Sequence, residues 1–325
     1  MTEPTFEAAS GAATTTRCWI VSPMLHDTES LIRLRRETIA NCAEAGQDLD
    51  LRFVVIDDSA GTDADVEQLH DVDDIEVLTP PFNLGHQRAI VYGLRHIVAE
   101  VGDDDLVVTM DSDGEDQPCD VPRLLAALEA DTVSLALAQR TKRSEPLRFR
   151  VMYVVFRLMF RVLTGTTIRS GNFAAQRGDS LAVTIHNPSF DLCYSSSLLA
   201  LRRPTAMVPC ARGHRFAGRS RMNTYSLIAH GIRMLLPFSE RIAVRMMVVA
   251  SISAAALVAF LIALASGAFG DSLGPATVGA LVALSSVFAA SFTAFIVLFS
   301  GFAQASAIAI HGNGVRDVVR TRPQR

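Results

Sequence analysis

Residues 105–116 read Asp105-Leu106-Val107-Val108-Thr109-Met110-Asp111-Ser112-Asp113-Gly114-Glu115-Asp116. The apolar, β-branched run from Leu106 to Met110 predicts a short buried strand. Acids crowd the turn behind it. In an open α/β sheet, ligands bind past the carboxyl ends of the strands. Carboxylates there are hard oxygen donors that suit Mg²⁺ or Mn²⁺, and a hard cation suits a diphosphate. A D-x-D pair alone is too short to assign chemistry, so its surroundings decide.

The same arrangement recurs upstream. Arg17 to Val21 is β-rich and predicts a first strand, stopped by Pro23. The loop Ser22-Pro23-Met24-Leu25-His26-Asp27 leads to a helix from about Thr28, with Thr28 or Asp27 as N-cap. Leu51 to Ile56 predicts a second strand, ending in Asp57-Asp58-Ser59-Ala60-Gly61, and Ile75 to Leu78 a third. The punctuated loop from Pro80 to Gln87 opens a helix whose Ile90, Val91, Leu94, Ile97 and Val98 recur at helical spacing. A helix from about Val121 and a strand from Val133 to Ala138 follow the acidic turn. This alternation predicts an α/β domain with a mostly parallel, doubly wound sheet. Three strands ending in Asp27, Asp57/Asp58 and Asp111/Asp113 would bring carboxylates to one sheet edge.

Beyond Arg140 the pattern changes. Met152, Val155, Phe156, Met159, Phe160 and Leu163 mark one helical face, opposed by Arg150, Arg157 and Arg161. This is either an amphipathic core helix with a solvated basic edge or a helix at a membrane surface; Thr164-Gly165-Thr166 ends it. A second amphipathic helix from about Thr224, ended or kinked by Pro237, reads as interfacial. Met246 to Gly270 and Ser272 to His311 contain no Asp, Glu, Lys or Arg. Each exceeds the ~20 residues that cross ~30 Å of hydrocarbon. Arg241 and Arg245 precede the first span, Arg316, Arg320, Arg322 and Arg325 follow the second, and the turn from Gly267 to Pro275 has no Lys or Arg. The positive-inside rule then puts both termini and the α/β part in the cytoplasm, on a multi-pass inner-membrane protein.

Composition agrees. The 325 residues are 49% hydrophobic, and a mean hydropathy of +0.27 is high for a soluble chain. A net charge of −4 gives no basic field for nucleic acid. Cys18, Cys42, Cys119, Cys193 and Cys210 are odd in number and lack C-x-x-C spacing, which argues for a reduced compartment and against a disulfide framework or a zinc site. The N-terminus has neither a basic n-region nor an apolar h-region, so no signal peptide is expected. The expected layout is a disordered tail (1–16), an α/β domain (17–222), an interfacial helix (223–241), two transmembrane helices (242–310) and a basic cytoplasmic tail (311–325).

The motifs, taken in order, resemble glycosyltransferase family 2, of the polyprenyl-phosphate type that includes dolichol-phosphate mannose synthases and bacterial polyprenyl-phosphate glucosyl or aminosugar transferases. P-x-x-N-E stands here as Pro23-Met24-Leu25-His26-Asp27. V-V-D-D-x-S stands as Val55-Ile56-Asp57-Asp58-Ser59, and N-x-G-(K/H) as Asn83-Leu84-Gly85-His86. D-x-D-x-Q-D-x-P stands as Asp111-Ser112-Asp113-Gly114-Glu115-Asp116-Gln117-Pro118. A G-x-R-like end at Ala138-Gln139-Arg140, then Gly171-Asn172-Phe173 and the basic stretch Arg215 to Arg221, complete the series.

The resemblance implies a GT-A fold and an inverting transfer from a nucleotide sugar to a polyprenyl phosphate at the membrane. By position, Pro23, Asp27, Asp57, Asp58 and Asp111 would bind the nucleotide. Asp111, Asp113 and Glu115 would meet Mg²⁺ or Mn²⁺, and Asp113 and Arg140 would be catalytic. Arg148, Arg150, Arg215, Arg219 and Arg221 would face the acceptor phosphate, with Arg148 and Arg150 as alternatives. His26-Asp27 departs from Asn-Glu, Glu115 from Gln, and Asn172 from the commoner Asp. A homo-oligomer is left open. Transfer to another lipid or glycan, and a degenerate non-catalytic binder of nucleotide sugars, are the alternatives. A processive polysaccharide synthase is disfavoured, because its Q-x-x-R-W motif is absent and Trp19 is the only tryptophan.

Overall fold

A computed structural model of the chain describes residues 15–141, 147–217, 224–267 and 274–311. The elements run β1 (Thr16–Met24), α1 (Thr28–Glu44), β2 (Leu49–Asp57), β3 (Ile75–Leu78), α2 (His86–Ile97), β4 (Leu106–Thr109), α3 (Val121–Ala126), β5 (Leu135–Arg140), α4 (Leu147–Thr164), β6 (Ser170–Arg177), α5 (Gly178–Thr184), α6 (Tyr194–Ala200), β7 (Thr205–Cys210), α7 (Thr224–Leu235), α8 (Ser239–Ala265) and α9 (Pro275–His311). The strands form one seven-stranded sheet in the order β3-β2-β1-β4-β6-β5-β7. Every pairing is parallel except the two made by β6. This is the mostly parallel α/β sheet expected from the alternating pattern, in the GT-A-like form that the resemblance implied.

The central strands are apolar on both faces because helices cover both sides of a parallel sheet. Ile20, Val54, Val55, Ile56 and Val108 are fully buried. Burying such a side chain stabilises by ~1.5–3 kcal/mol, which fixes the strand register and so the places where the strands end. Chain order reverses across β1, with β2 on one side and β4 on the other. That switch point is where an open α/β sheet leaves a crevice.

Three local expectations change. Pro23 does not stop β1, which continues to Met24 and pairs Pro23 with Ile56. The reason is geometric. The Val21 carbonyl accepts from Met110 N, and the Met24 carbonyl from Asp58 N. Strand alternation therefore turns the Pro23 nitrogen to the β4 side, beyond the last β4 pair at Thr109, where no ladder bond is lost. The fifth strand is shifted to Leu135–Arg140, because Val133 closes a turn on the Ala130 carbonyl. β6 and β7 were not anticipated. Ser170–Arg177 is small and polar, and is strand because it inserts between β4 and β5.

Contacts divide the chain into two units. One comprises residues 1–143, 170–186 and 202–220, and the other residues 144–169, 187–201 and 221–325. The linear boundary at 222 is thus crossed by α4 and α6, whose apolar residues pack with the C-terminal helices. In this second unit Phe160, Ile168, Cys193, Met234, Phe238 and Ile242 form a core, with Phe160 edge-on to Phe238 at 5.3 Å. The predicted α4 stripe splits. Phe160 is buried, but Met152, Val155 and Met159 are exposed beside Val154, Leu158 and Val162. On α7, Ile228 and Ile232 are exposed too. A short 3-10 turn at Leu236–Phe238 carries Pro237 and joins α7 to α8. Ser226–Ala265 and Pro275–Val297 are long and apolar enough to cross a membrane, and they suggest membrane association. The 1–16 tail up to residue 14, most of the turn between the spans and the 311–325 tail beyond His311 lie outside the described residues.

Candidate active site

The carboxyl ends of β1, β2, β4, β5 and β7 share one edge, and the sequence supplies each end with a charged or polar side chain. Asp57 closes β2. Its Oδ1 accepts from Ser59 N at 3.0 Å, and its Oδ2 from the Thr79 hydroxyl at 3.4 Å. Asp58 is buried and accepts from two backbone amides, Leu84 N at 2.6 Å and Gly85 N at 3.0 Å. Burial still outweighs these donors and raises its carboxyl above the usual range. The Asn83 amide donates to the Asp58 carbonyl at 2.7 Å. The loop before α2 is therefore pinned to the end of β2. Gly85, at φ +77, then turns the chain into α2.

That turn presents His86. Its Nε2 lies 3.0 Å from Asp111 Oδ1 and 2.6 Å from Asn172 Nδ2. Asn172, near the start of β6, also accepts from the Gln87 amide at 2.5 Å and approaches Asp111 Oδ1 at 3.4 Å. Burial alone would push the His86 imidazolium down. The carboxylates of Asp111, Asp116 and Asp113 prevail and raise it.

The acidic turn closes on itself and on its neighbours. Asp116 Oδ2 accepts from Asp111 N at 3.1 Å, and its Oδ1 faces Arg140 Nη2 at 3.6 Å. Asp113 Oδ1 accepts from Glu115 N at 2.9 Å, and its Oδ2 meets Arg215 Nη2 at 2.8 Å. Glu115 Oε1 accepts from Arg215 Nε at 3.2 Å, and Oε2 pairs with Arg212. Burial drives the carboxyls of Asp111, Asp113 and Asp116 upward, but they diverge. Asp111 is held well below the usual carboxylate range by His86, Arg140 and Asn172. Asp116 is pushed up to about 7 by burial and then by the Asp111 charge. Asp113 is raised by burial and by Asp111, against the pull of Arg215.

Residues 211–216, after β7, lie across this turn. Gly213 N donates to the Glu115 carbonyl at 2.9 Å, and Phe216 N to the Asp113 carbonyl at 2.8 Å. The Gln117 amide donates to the Ala211 carbonyl at 2.6 Å. Glycine is required on both surfaces. A Cβ on Gly213 would stand 2.4 Å from the Gly114 carbonyl oxygen, and one on Gly114 would stand 2.7 Å from the Phe216 ring.

Of the residues singled out from sequence, Asp111, Asp113, Glu115, Arg140 and Arg215 converge here, with Asp57 and Asp58 on the adjoining strand end. His86 acts electrostatically on both Asp58 and Asp111. Pro23 is buried in β1, and Asp27, half-buried, caps α1 without a side-chain bond. The side chains of Arg148 and Arg150, and all of Arg219 and Arg221, lie outside the described residues. The structure adds His86, Asp116, Asn172 and Arg212 to the cluster. The first three sit inside quoted motifs. Arg212 had no local signal, because it faces Glu115 from 97 positions away.

A divalent cation suits this donor set. Among the described residues no three His, Cys, Asp or Glu side chains converge to hold a metal alone. Mg²⁺ commonly binds through one or two carboxylates plus substrate phosphates. Asp111 spends Oδ1 on His86 and Asn172, which leaves Oδ2 outside those bonds.

Residues 34–183 match the family model for glycosyl transferase family 2. An undecaprenyl-phosphate 4-deoxy-4-formamido-L-arabinose transferase of Enterobacter sp. (strain 638) is 27% identical over 145 residues, covering 43% of this chain and 42% of that one. The same-named protein of Edwardsiella ictaluri is 24% identical over 222 residues, 64% of each chain. The chain thus spans less than two thirds of the length of these relatives. A crystal structure of a mycobacterial protein is similar in fold, with a TM-score of 0.50 at 21% identity over 70% of this chain and 75% of that one. Over residues 34–183 the chain thus carries a domain of the glycosyl transferase family 2 type.

Proposed function

We propose that this protein transfers a sugar from a nucleoside diphosphate to a polyprenyl phosphate at the cytoplasmic face of the inner membrane, with inversion at the anomeric carbon. The observation that carries this is the meeting, on one sheet edge, of an acidic turn with Arg140 and the arginines of the 211–216 loop. The chain that bears this edge also bears two helices able to span a bilayer. Relatives named for undecaprenyl phosphate support the acceptor class.

Asp57, Asp58, Asp27 and Pro23 would hold the nucleoside. Asp111 and Asp113 would hold Mg²⁺ or Mn²⁺, which when bound offsets the charge of the diphosphate; Glu115 would join them only by releasing an arginine. An acceptor phosphate oxygen is already ionised near pH 7 and needs no strong general base. It attacks the anomeric carbon and forms the new C–O bond. The bond to the diphosphate oxygen breaks, and its electron pair leaves on the diphosphate. Arg140 would stabilise that charge through its fork of donors. Arg215, with Arg148 or Arg150, Arg219 and Arg221, would orient the acceptor phosphate. The exposed apolar residues of α4 and α7 would rest in the interface, keeping the lipid tail in the bilayer while its phosphate enters.

A panel of nucleotide sugars, assayed on the purified protein with Mg²⁺ or Mn²⁺ and either undecaprenyl or decaprenyl phosphate, tests this. The expected product is a lipid-linked monosaccharide from one donor, lost in Asp113→Asn. No transfer from any donor, with cellular function intact in Asp113→Asn, would instead establish a non-catalytic protein.

A further inference from the structure

Of the four acids in the turn, Glu115 is the one tied by side chain to two arginines of a later loop. Glu115 is 14% exposed, and both its oxygens are engaged by arginines of a loop about a hundred residues downstream. Arg212 reaches Oε2 through Nε at 3.1 Å and also through Nη2. Arg215 reaches Oε1 at 3.2 Å while its Nη2 bonds Asp113 at 2.8 Å. The backbone repeats the link, with Gly213 N on the Glu115 carbonyl at 2.9 Å. Phe216, next along the loop, stacks under the Arg33 guanidinium at 4.1 Å. The loop is thus fastened at side chain and backbone, with Glu115 at the centre of both.

From this we propose that Glu115 is a positioning residue for the acceptor-side loop and not a ligand of the metal. It holds Arg212 and Arg215 over the turn, so that the arginine meant for the acceptor phosphate is set by the same turn that receives the donor. A carboxylate, not an amide, is required for this. Two guanidinium groups share one side chain, and charge-assisted bonds are roughly twice as strong as neutral ones. Arg212 belongs to the same device: it anchors the loop and leaves Arg215 to reach inward.

This inference rests on the transferase reading, and its test keeps the two apart. The full chain, in detergent or nanodiscs, is compared with Glu115→Gln, Arg212→Ala and the double variant. One readout needs no turnover. Amide hydrogen exchange at Gly213 and Phe216 should quicken about tenfold in each single variant, the equivalent of losing one charged bond. Binding of Mn²⁺ with UDP, by calorimetry, should change less than about twofold. With the donor that the panel identifies, KM for undecaprenyl phosphate should rise about five- to tenfold with kcat nearly unchanged. The double variant should be little worse than either single one, because both remove the same link. Weaker Mn²⁺ binding in Glu115→Gln, with loop exchange and acceptor KM unmoved, would make Glu115 a metal ligand and overturn the proposal. Additive effects in the double variant would overturn it as well. If wild type neither binds UDP with Mn²⁺ nor transfers any sugar, the transferase reading falls, while the exchange data still report whether Glu115 fastens the loop.

Discussion

Asp58→Asn separates the cost of burying a charge from the value of the bonds it makes. In the folded chain both Asp58 oxygens accept backbone donors, at 2.6 Å from Leu84 and 3.0 Å from Gly85. A hydrogen bond to a charged group is worth ~1.5–3 kcal/mol. Asparagine keeps one acceptor and so loses roughly 2 kcal/mol of bonding. It also removes a charge that burial disfavours, as the raised Asp58 carboxyl records. The two effects oppose each other, so Asp58→Asn should cost less than about 1 kcal/mol near pH 7. Asp58→Ala loses both acceptors and should cost about 3 kcal/mol. At ~2–4 °C per kcal/mol for a domain of ~150–250 residues, Tm should fall by less than about 4 °C and by about 6–12 °C respectively. The pH dependence has a definite sign. A carboxyl whose folded pKa is raised contributes its full stability below the unfolded value, 3.8 here, and loses it as pH rises through the folded value. Asparagine does not titrate, so the penalty of Asp58→Asn should shrink as pH rises from the unfolded value through the folded one. Trp19, buried in β1 beside β2, gives a fluorescence signal from the sheet itself. A penalty that grew with pH would mean that bonding, not desolvation, dominates at Asp58, and would refute the reasoning.

Other outcomes follow from the same geometry. Asp116, pushed up to about 7, should hold a proton below that pH and release it when Mn²⁺ and UDP bind. Calorimetry in buffers of differing ionisation enthalpy should show the release near pH 6.5 and much less near pH 8.5. Its stabilising contribution is full below 3.8 and lost as pH rises through about 7, so the ligand-free protein should melt lower at pH 8 than at pH 5. Gly213→Ala should lift the loop and forfeit the bonds from Gly213 and Phe216, about 1–3 kcal/mol together, read as faster amide exchange at Phe216. The proposed cytoplasmic placement of both termini predicts that a fluorescent protein fused after Arg325 fluoresces and that alkaline phosphatase at the same place is inactive.

Much of this was legible because the informative features are local. β2 and β4 are apolar runs that end in acids, and β-propensity, burial and punctuation agree there. Helix α2 showed its apolar face at the expected spacing. β6 was not legible as a strand: Ser-Gly-Asn-Phe-Ala-Ala has no alternation, and only the flanking strands make it one. The α4 stripe misled for a different reason. An apolar face announces burial in something, but sequence does not say whether protein or lipid covers it, and Met159 and Phe160, adjacent in sequence, go opposite ways. At the site, acids were readable from their place after strands. Arg212 was not, because it arrives from a loop whose register is set by β7, an edge strand with Pro209 inside it.

The charges at this edge match in number but are unevenly placed, and the unevenness points to what the site is built to receive. Four acids of one turn, Asp111, Asp113, Glu115 and Asp116, meet Arg140, Arg212, Arg215 and His86. Two unit charges ~4 Å apart interact by ~4 kcal/mol at an effective dielectric of ~20, so a single unmatched carboxylate is costly. Arg212 pairs with Glu115, and Arg215 with Glu115 and Asp113, which leaves Arg140 and His86 to face Asp111 and Asp116. They suffice for Asp111, which is driven down, and not for Asp116, which is driven up to about 7. Burial and the neighbouring Asp111 charge outweigh Arg140, 3.6 Å away, so Asp116 keeps a proton below about pH 7 in the ligand-free protein. A divalent cation would take the place of that proton, and its second charge is what an incoming diphosphate would meet.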